Sequence, residues 1–190
     1  MDAIEAIARR RSVKRLHDPA PTEDDLRIMF SAAMAAPDHR THRPWRFFVL
    51  QGESRNRFAE VLVEALRAQD LRAGRTTTEE ALKTERTKLE RAPIVVIACA
   101  VFSEDIKAPR DEQLLAVGCA VQNLLIAATS LGYGTMWRTG EAARDPVVKG
   151  ALGIDESDEI VGFIYLGTDS ETSGEPAARP RAFEFVEWWD

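Results

Sequence analysis

Cysteine is scarce in this chain. The 190 residues hold two, Cys99 and Cys119, too few for a disulfide framework and without the paired spacing of a Cys-based metal site. Cys99 lies within Ile94-Val95-Val96-Ile97-Ala98 and Cys119 follows Ala116-Val117-Gly118, surroundings that predict buried free thiols. Histidine numbers three; His39 and His42 stand three apart, but no HExxH, no CxxC and no third ligand at suitable spacing accompanies them, so no metal is expected. Positive charge is in deficit, with a formal net charge of −6, which excludes the broad positive field a general nucleic-acid binder needs. Long apolar runs are lacking too: none is read as approaching the ~20 residues that span a bilayer. The start, Met1-Asp2-Ala3-Ile4-Glu5, lacks a charged-then-apolar leader. No membrane association is expected, and a cytoplasmic location is. Finally, no Walker A loop and no Gly-x-Ser-x-Gly elbow occurs, which removes the common phosphotransferase and hydrolase readings.

What is present describes an ordinary globular chain. A hydrophobic content of 45% over this length gives the expectation of a single domain over residues 1–190 with one sizeable core. Residues from about Ala3 to Arg10 place Ile4, Ile7 and Ala8 on one face of a short amphipathic helix. Pro21-Thr22-Glu23-Asp24-Asp25 reads as an N-cap with acids in the first turn, leading a helix through Leu26, Met29, Phe30, Ala33 and Met34 that stops near Pro37. Three short runs, Arg46 to Leu50, Ile94 to Ala98 and Ile160 to Leu166, predict strands, two of them buried on both faces. Polar helices are expected at about 54–68 and 79–91. From Gln113 to Leu131 the few polar residues are Gln113, Gln122, Asn123, Thr129 and Ser130, which describes a central helix buried on most sides. A turn at Gly132-Tyr133-Gly134 and a short strand at Thr135-Met136-Trp137 follow. The tail from Phe183 to Trp189 is too apolar to float in water and must pack on something, a partner subunit being one choice.

Three segments carry candidate chemistry. Arg10-Arg11-Ser12 with Lys14 sets guanidinium forks and a hydroxyl close together, as phosphate binding requires; a solvated basic cluster at a helix end is the plainer reading of the same residues. Ala36-Pro37-Asp38-His39-Arg40-Thr41-His42-Arg43-Pro44-Trp45 is a polar loop bracketed by prolines between a helix and a strand, a common place for functional groups. Gly132-Tyr133-Gly134-Thr135-Met136-Trp137-Arg138-Thr139-Gly140 has two glycines of a dinucleotide fingerprint, but Trp137 holds the third position and a helix precedes it. A Rossmann nicotinamide domain is therefore not expected.

In this order and spacing, these segments, together with Val161-Gly162-Phe163-Ile164-Tyr165-Leu166-Gly167-Thr168, resemble the nitroreductase family, in particular its small single-domain NAD(P)H members. The likeness runs nearly from end to end. It implies an α+β fold with a mixed central sheet flanked by helices, and an obligate homodimer whose C-terminal segment crosses to the partner. It further implies FMN at the dimer interface, with NAD(P)H as co-substrate. Arg10 and Ser12 would grip the FMN phosphate and ribityl, with Arg11 beside them and Lys14 near the pyrimidine edge. Ala35 and His39 would come from the loop region that reaches the partner's flavin, and Trp137, Arg138 and Thr139 would line the cofactor. Many larger relatives bring a basic pair near the C-terminus to the phosphate, and here Arg179 and Arg181 are the available residues, with no role assigned. The implied activity is hydride transfer from NAD(P)H through the flavin to a nitroaromatic, quinone-like or other small electron acceptor in alternating steps. No catalytic side chain is required, since the flavin performs the chemistry. A flavin- or anion-binding module without turnover, and oxygen-dependent flavin chemistry in a related branch of the fold, are the alternatives.

Overall fold

Seven consecutive residues from Ile94 to Ala100 are all buried, and that run sits at the centre of the molecule. In the computed structural model, which describes residues 1–104, 107–169 and 178–189, it forms β2 (Ile94–Ala100) of a four-stranded sheet. β1 (Trp45–Gln51), β2, β4 (Glu159–Gly167) and β3 (Gly134–Arg138) lie side by side in the order β1-β2-β4-β3. Apolar β-branched runs form the two central strands because helices cover both of their faces. The α+β class stands as expected. The strands run antiparallel throughout, and among the described residues the parallel component of a mixed sheet is a single bridge between Ser12 and Thr135.

Strand alternation divides the core into two layers. Val95, Ile97, Cys99, Phe163 and Tyr165 face Phe58, Ala59 and Leu62 of α3 (Glu53–Arg72) and Val148 of α6 (Pro146–Leu152). Ile94, Val96, Ala98, Ile164 and Leu166 face Met29 and Ala33 of α2 (Glu23–Met34) and Val121, Leu124 and Leu125 of α5 (Arg110–Ser130). α2 begins as the sequence predicts: the Thr22 hydroxyl accepts from the Asp25 amide while the Asp25 carboxylate accepts from the Thr22 amide, a reciprocal cap. α1 (Ala3–Arg9) also forms, and α4 (Glu79–Thr87) lies against α3.

Three expectations need correction. Cys99 is buried, and desolvation together with the charge of Asp158 pushes its thiol up to about 12. Cys119, by contrast, is exposed: Ala116, Val117 and Ala120 take the inward side of α5, which leaves Cys119 on the outward stripe with Leu115, itself 68% exposed. Second, α5 is long and apolar enough by length and composition to cross a membrane, with a mean hydropathy of 1.4. Its apolar content instead serves packing against the sheet and α2. Third, Ile4 and Ile7 of α1 face outward, and Ala6 is the residue buried.

Candidate functional site

The segment after α1 reaches its place because short apolar residues interrupt the charges. Val13 and Leu16 are buried in the sheet layer that holds Tyr165 and Phe163. The Val13 amide donates to the Thr135 carbonyl at 2.9 Å, the Leu16 amide to Arg91 at 2.8 Å and the His17 amide to Thr168 at 2.9 Å. The segment therefore meets the free edge of β3 at residues 12 and 13 and crosses to Arg91 and Thr168, beside the ends of β2 and β4, at residues 16 and 17. Gly134 permits this approach, since a Cβ there would lie 2.6 Å from Leu16 Cδ2. With Val13 and Leu16 turned inward, Ser12 is left exposed and Arg10 half-buried beside the end of β3.

There a cavity of about 730 Å³ opens, lined by Ile7, Ala8, Arg10, Ser12, Gln122, Leu125, Trp137, Thr139 and Arg179. The apolar face of α1 thus finds its use, since Ile7 and Ala8 form part of the wall. Arg179 donates from Nη2 to the Arg10 carbonyl at 2.7 Å, which ties the C-terminal segment to the basic one. Trp137 donates from Nε1 to the Val161 carbonyl at 3.1 Å. The volume falls within the ~300–1,000 Å³ of small-molecule sites. Two guanidinium groups, two hydroxyls and an amide beside an indole suit a ligand that joins a phosphate to a planar ring system.

Of the nine residues expected to hold the cofactor, this cavity gathers four: Arg10, Ser12, Trp137 and Thr139. Arg11 turns aside to bind Asp169 at 2.6 Å. Lys14 is exposed and outside the wall. Arg138 emerges on the opposite face of the sheet, where its guanidinium stands 6.0 Å from the Tyr165 ring, as strand alternation requires of the residue after Trp137. Ala35 caps the C-terminus of α2 and is exposed. His39 sits in a short 3-10 turn, His39–Thr41, with Nδ1 2.6 Å from Glu112 Oε2 at the start of α5; neither Ala35 nor His39 lines the cavity. The loop is conformationally strained: Arg40, Thr41 and Arg43 all have φ of 56°, a region non-glycine residues seldom adopt.

Sequence reasoning missed Ile7, Ala8, Gln122 and Leu125, and it left Arg179 without a role. Gln122 carried a signal as one of the few polar residues in an apolar helix. Thr139 borders a second cavity of about 720 Å³, which Arg110, Arg144, Lys149, Glu156, Asp158 and Glu159 also line. Its charges of both signs are balanced, and two of its cations are engaged: Lys149 bonds the Glu156 carbonyl at 2.7 Å and Arg110 pairs with Glu159 at 3.3 Å.

Comparison with known proteins agrees with this architecture. The nitroreductase family model matches residues 7–168. YdjA of Escherichia coli (strain K12), which carries the name of an NAD(P)H nitroreductase, is 44% identical over 168 residues, covering 88% of each chain. A Haemophilus influenzae protein named likewise is 34% identical over 172 residues, covering 90% of each. Among solved structures, a nitroreductase-like family protein from Bacillus cereus superposes with a TM-score of 0.83 at 24% identity, covering 100% of this chain and 97% of that one. A nitroreductase with bound FMN from Bacteroides fragilis does so at 0.74 and 21% identity, with both chains fully covered. The chain belongs to the nitroreductase family.

Proposed function

We propose that this protein is an FMN-dependent NAD(P)H oxidoreductase that passes electrons to a small acceptor of nitroaromatic or quinone type. The observation that carries the reading is the cavity in which Arg10, Ser12 and Arg179 meet Trp137 and Thr139. Its support among relatives is the NAD(P)H nitroreductase name of YdjA at 44% identity. Bound FMN would supply the electron transfer, accepting from NAD(P)H and delivering to the acceptor in turn. The protein's part is to bind and orient it. Arg10 and Ser12 hold the phosphate through charge-assisted hydrogen bonds, and Arg179 braces Arg10 through its carbonyl.

The working unit is a homodimer in the cytoplasm, where NAD(P)H is supplied. Ile4 and Ile7 on α1, Leu115 on α5 and the aromatic tail are uncovered in the single subunit, and apolar surface of that kind suits an obligate interface. In the dimer, Ala35 and the His39 loop would approach the partner's flavin. The purified protein is expected to be yellow, to carry about one FMN per subunit, and to bleach on anaerobic addition of NADPH or NADH. Colourless protein that cannot be reconstituted with FMN would overturn the proposal, and flavin that binds but does not bleach would reduce it to a flavin-binding module.

A further inference from the structure

One wall of the cavity depends on a residue that does not line it. In the register of β4 against β2, Ala98 pairs with Gly162 and Cys99 with Ile160, so Val161 is an extra residue in a bulge. The bulge leaves Val161 out of the ladder, and its carbonyl accepts the hydrogen bond from Trp137 Nε1. For that bond to form, the indole must lie across β4 at Gly162. A Cβ on Gly162 would stand 2.6 Å from Trp137 Cδ1, closer still to Nε1, and 2.8 Å from the Arg138 carbonyl oxygen. The backbone there is not the reason for glycine, since Gly162 has no positive φ. Space is, for the indole and for the Arg138 carbonyl.

We propose that Gly162 is a positioning residue for the cofactor cavity: by having no side chain, and with the Val161 bulge beside it, it seats the Trp137 indole against the sheet and so keeps the cavity open. An indole lifted off Gly162 is pushed toward the volume it now borders, shared with Ser12, Gln122 and Leu125. A methyl group that intrudes on so close a contact forces the ring into another rotamer or shifts the backbone beside it. The inference rests on the assignment of FMN to this cavity.

The test uses the full-length protein stripped of flavin, titrated with FMN by fluorescence quenching, with the indole N–H resonance of Trp137 as a second readout. Gly162→Ala is expected to shift that resonance and to weaken FMN binding by about tenfold or more, as overpacking of a tight contact implies. Trp137→Ala removes the wall and also weakens binding. In Trp137→Ala/Gly162→Ala the added methyl no longer meets an indole, so the loss is expected to be clearly smaller than the product of the two single losses. Losses that multiply would overturn the proposal, as would wild-type FMN affinity in a folded Gly162→Ala. If Gly162→Ala fails to fold, a folded double variant supports the indole as the obstruction; a double variant that also fails to fold assigns the glycine requirement to the Arg138 carbonyl and overturns the proposal. Failure of the wild-type protein to bind FMN is a different result, which removes the functional reading itself.

Discussion

Two segments from opposite ends of the chain meet at the cavity, and they are held in different ways. Residues 10–17 are rich in cations yet firmly placed, because Val13 and Leu16 are buried between them and three of their amides donate to Thr135, Arg91 and Thr168. Residues 178–189 are rich in aromatics yet barely attached. Their described tie to the rest of the subunit is Arg179 on the Arg10 carbonyl, while Phe183, Trp188 and Trp189 are 73%, 78% and 100% exposed. Charge does not make a segment peripheral, and apolar content does not make it internal. What decides is whether the fold offers a surface that the apolar residues can cover, and among the described residues the tail finds none.

The largest effect is expected from the tail, which in the proposed homodimer is covered by a second copy. Deletion of Phe183 to Asp190 should produce monomers or insoluble protein and abolish FMN retention, because exposed aromatics on this scale mark an interface. Sedimentation of the intact protein as a flavin-loaded monomer at micromolar concentration would break the comparison. Second comes the anchoring of the other segment. Leu16→Ala removes a fully packed side chain and should cost ~2–4 kcal/mol of stability by denaturant unfolding; a loss within experimental error of zero would mean that the backbone hydrogen bonds alone hold the segment.

A smaller effect separates residues of one segment from one another. Arg10→Ala and Ser12→Ala should each weaken FMN binding, with a charge-assisted bond contributing ~1.5–3 kcal/mol, roughly ten- to over a hundredfold. Arg15→Ala should not, since Arg15 is exposed and outside the cavity wall. Equal affinities across the three variants, measured by fluorescence titration, would return Arg10 and Ser12 to the status of ordinary surface residues.

The sequence made much of this legible, for physical reasons that differ by element. The cap at Thr22 and the buried run of β2 are local patterns that the fold realises, and α5 forms where expected but buries one side, with Leu115 and Cys119 left outside. Arg10, Ser12, Trp137 and Thr139 follow from the family resemblance rather than from their own segments, and they do converge on one cavity. Arg138 follows Trp137 directly, and strand alternation sends neighbouring side chains to opposite faces, which separates it from the cavity. The apolar neighbours of Cys119 in sequence suggest burial, whereas helix periodicity places it with Leu115 four residues away. Gly162 stood in plain view inside a strand, where glycine often marks a bulge or a close approach. Its partner Trp137 lies 25 positions earlier in the chain, a contact that only the register of β3 on β4 reveals.

The smallest effect belongs to Lys14, four residues beyond Arg10 and two beyond Ser12. The family resemblance puts a cation of this kind near the pyrimidine edge of FMN, where reduction adds negative charge. In the single subunit Lys14 is exposed and does not line the cavity, so any influence on the flavin acts through water. Exposed charges are screened over ~8 Å at physiological ionic strength, whereas the guanidinium of Arg10 lies in the wall itself. Lys14→Ala should therefore leave FMN affinity within about twofold and lower the midpoint potential by less than the ~30 mV that corresponds to a factor of ten for two electrons. That shift should shrink further as salt is added, because screening weakens a through-solvent interaction and leaves a direct one nearly intact. A redox titration showing a fall larger than this, and independent of salt, would place the ammonium against the flavin and make Lys14 part of the site after all.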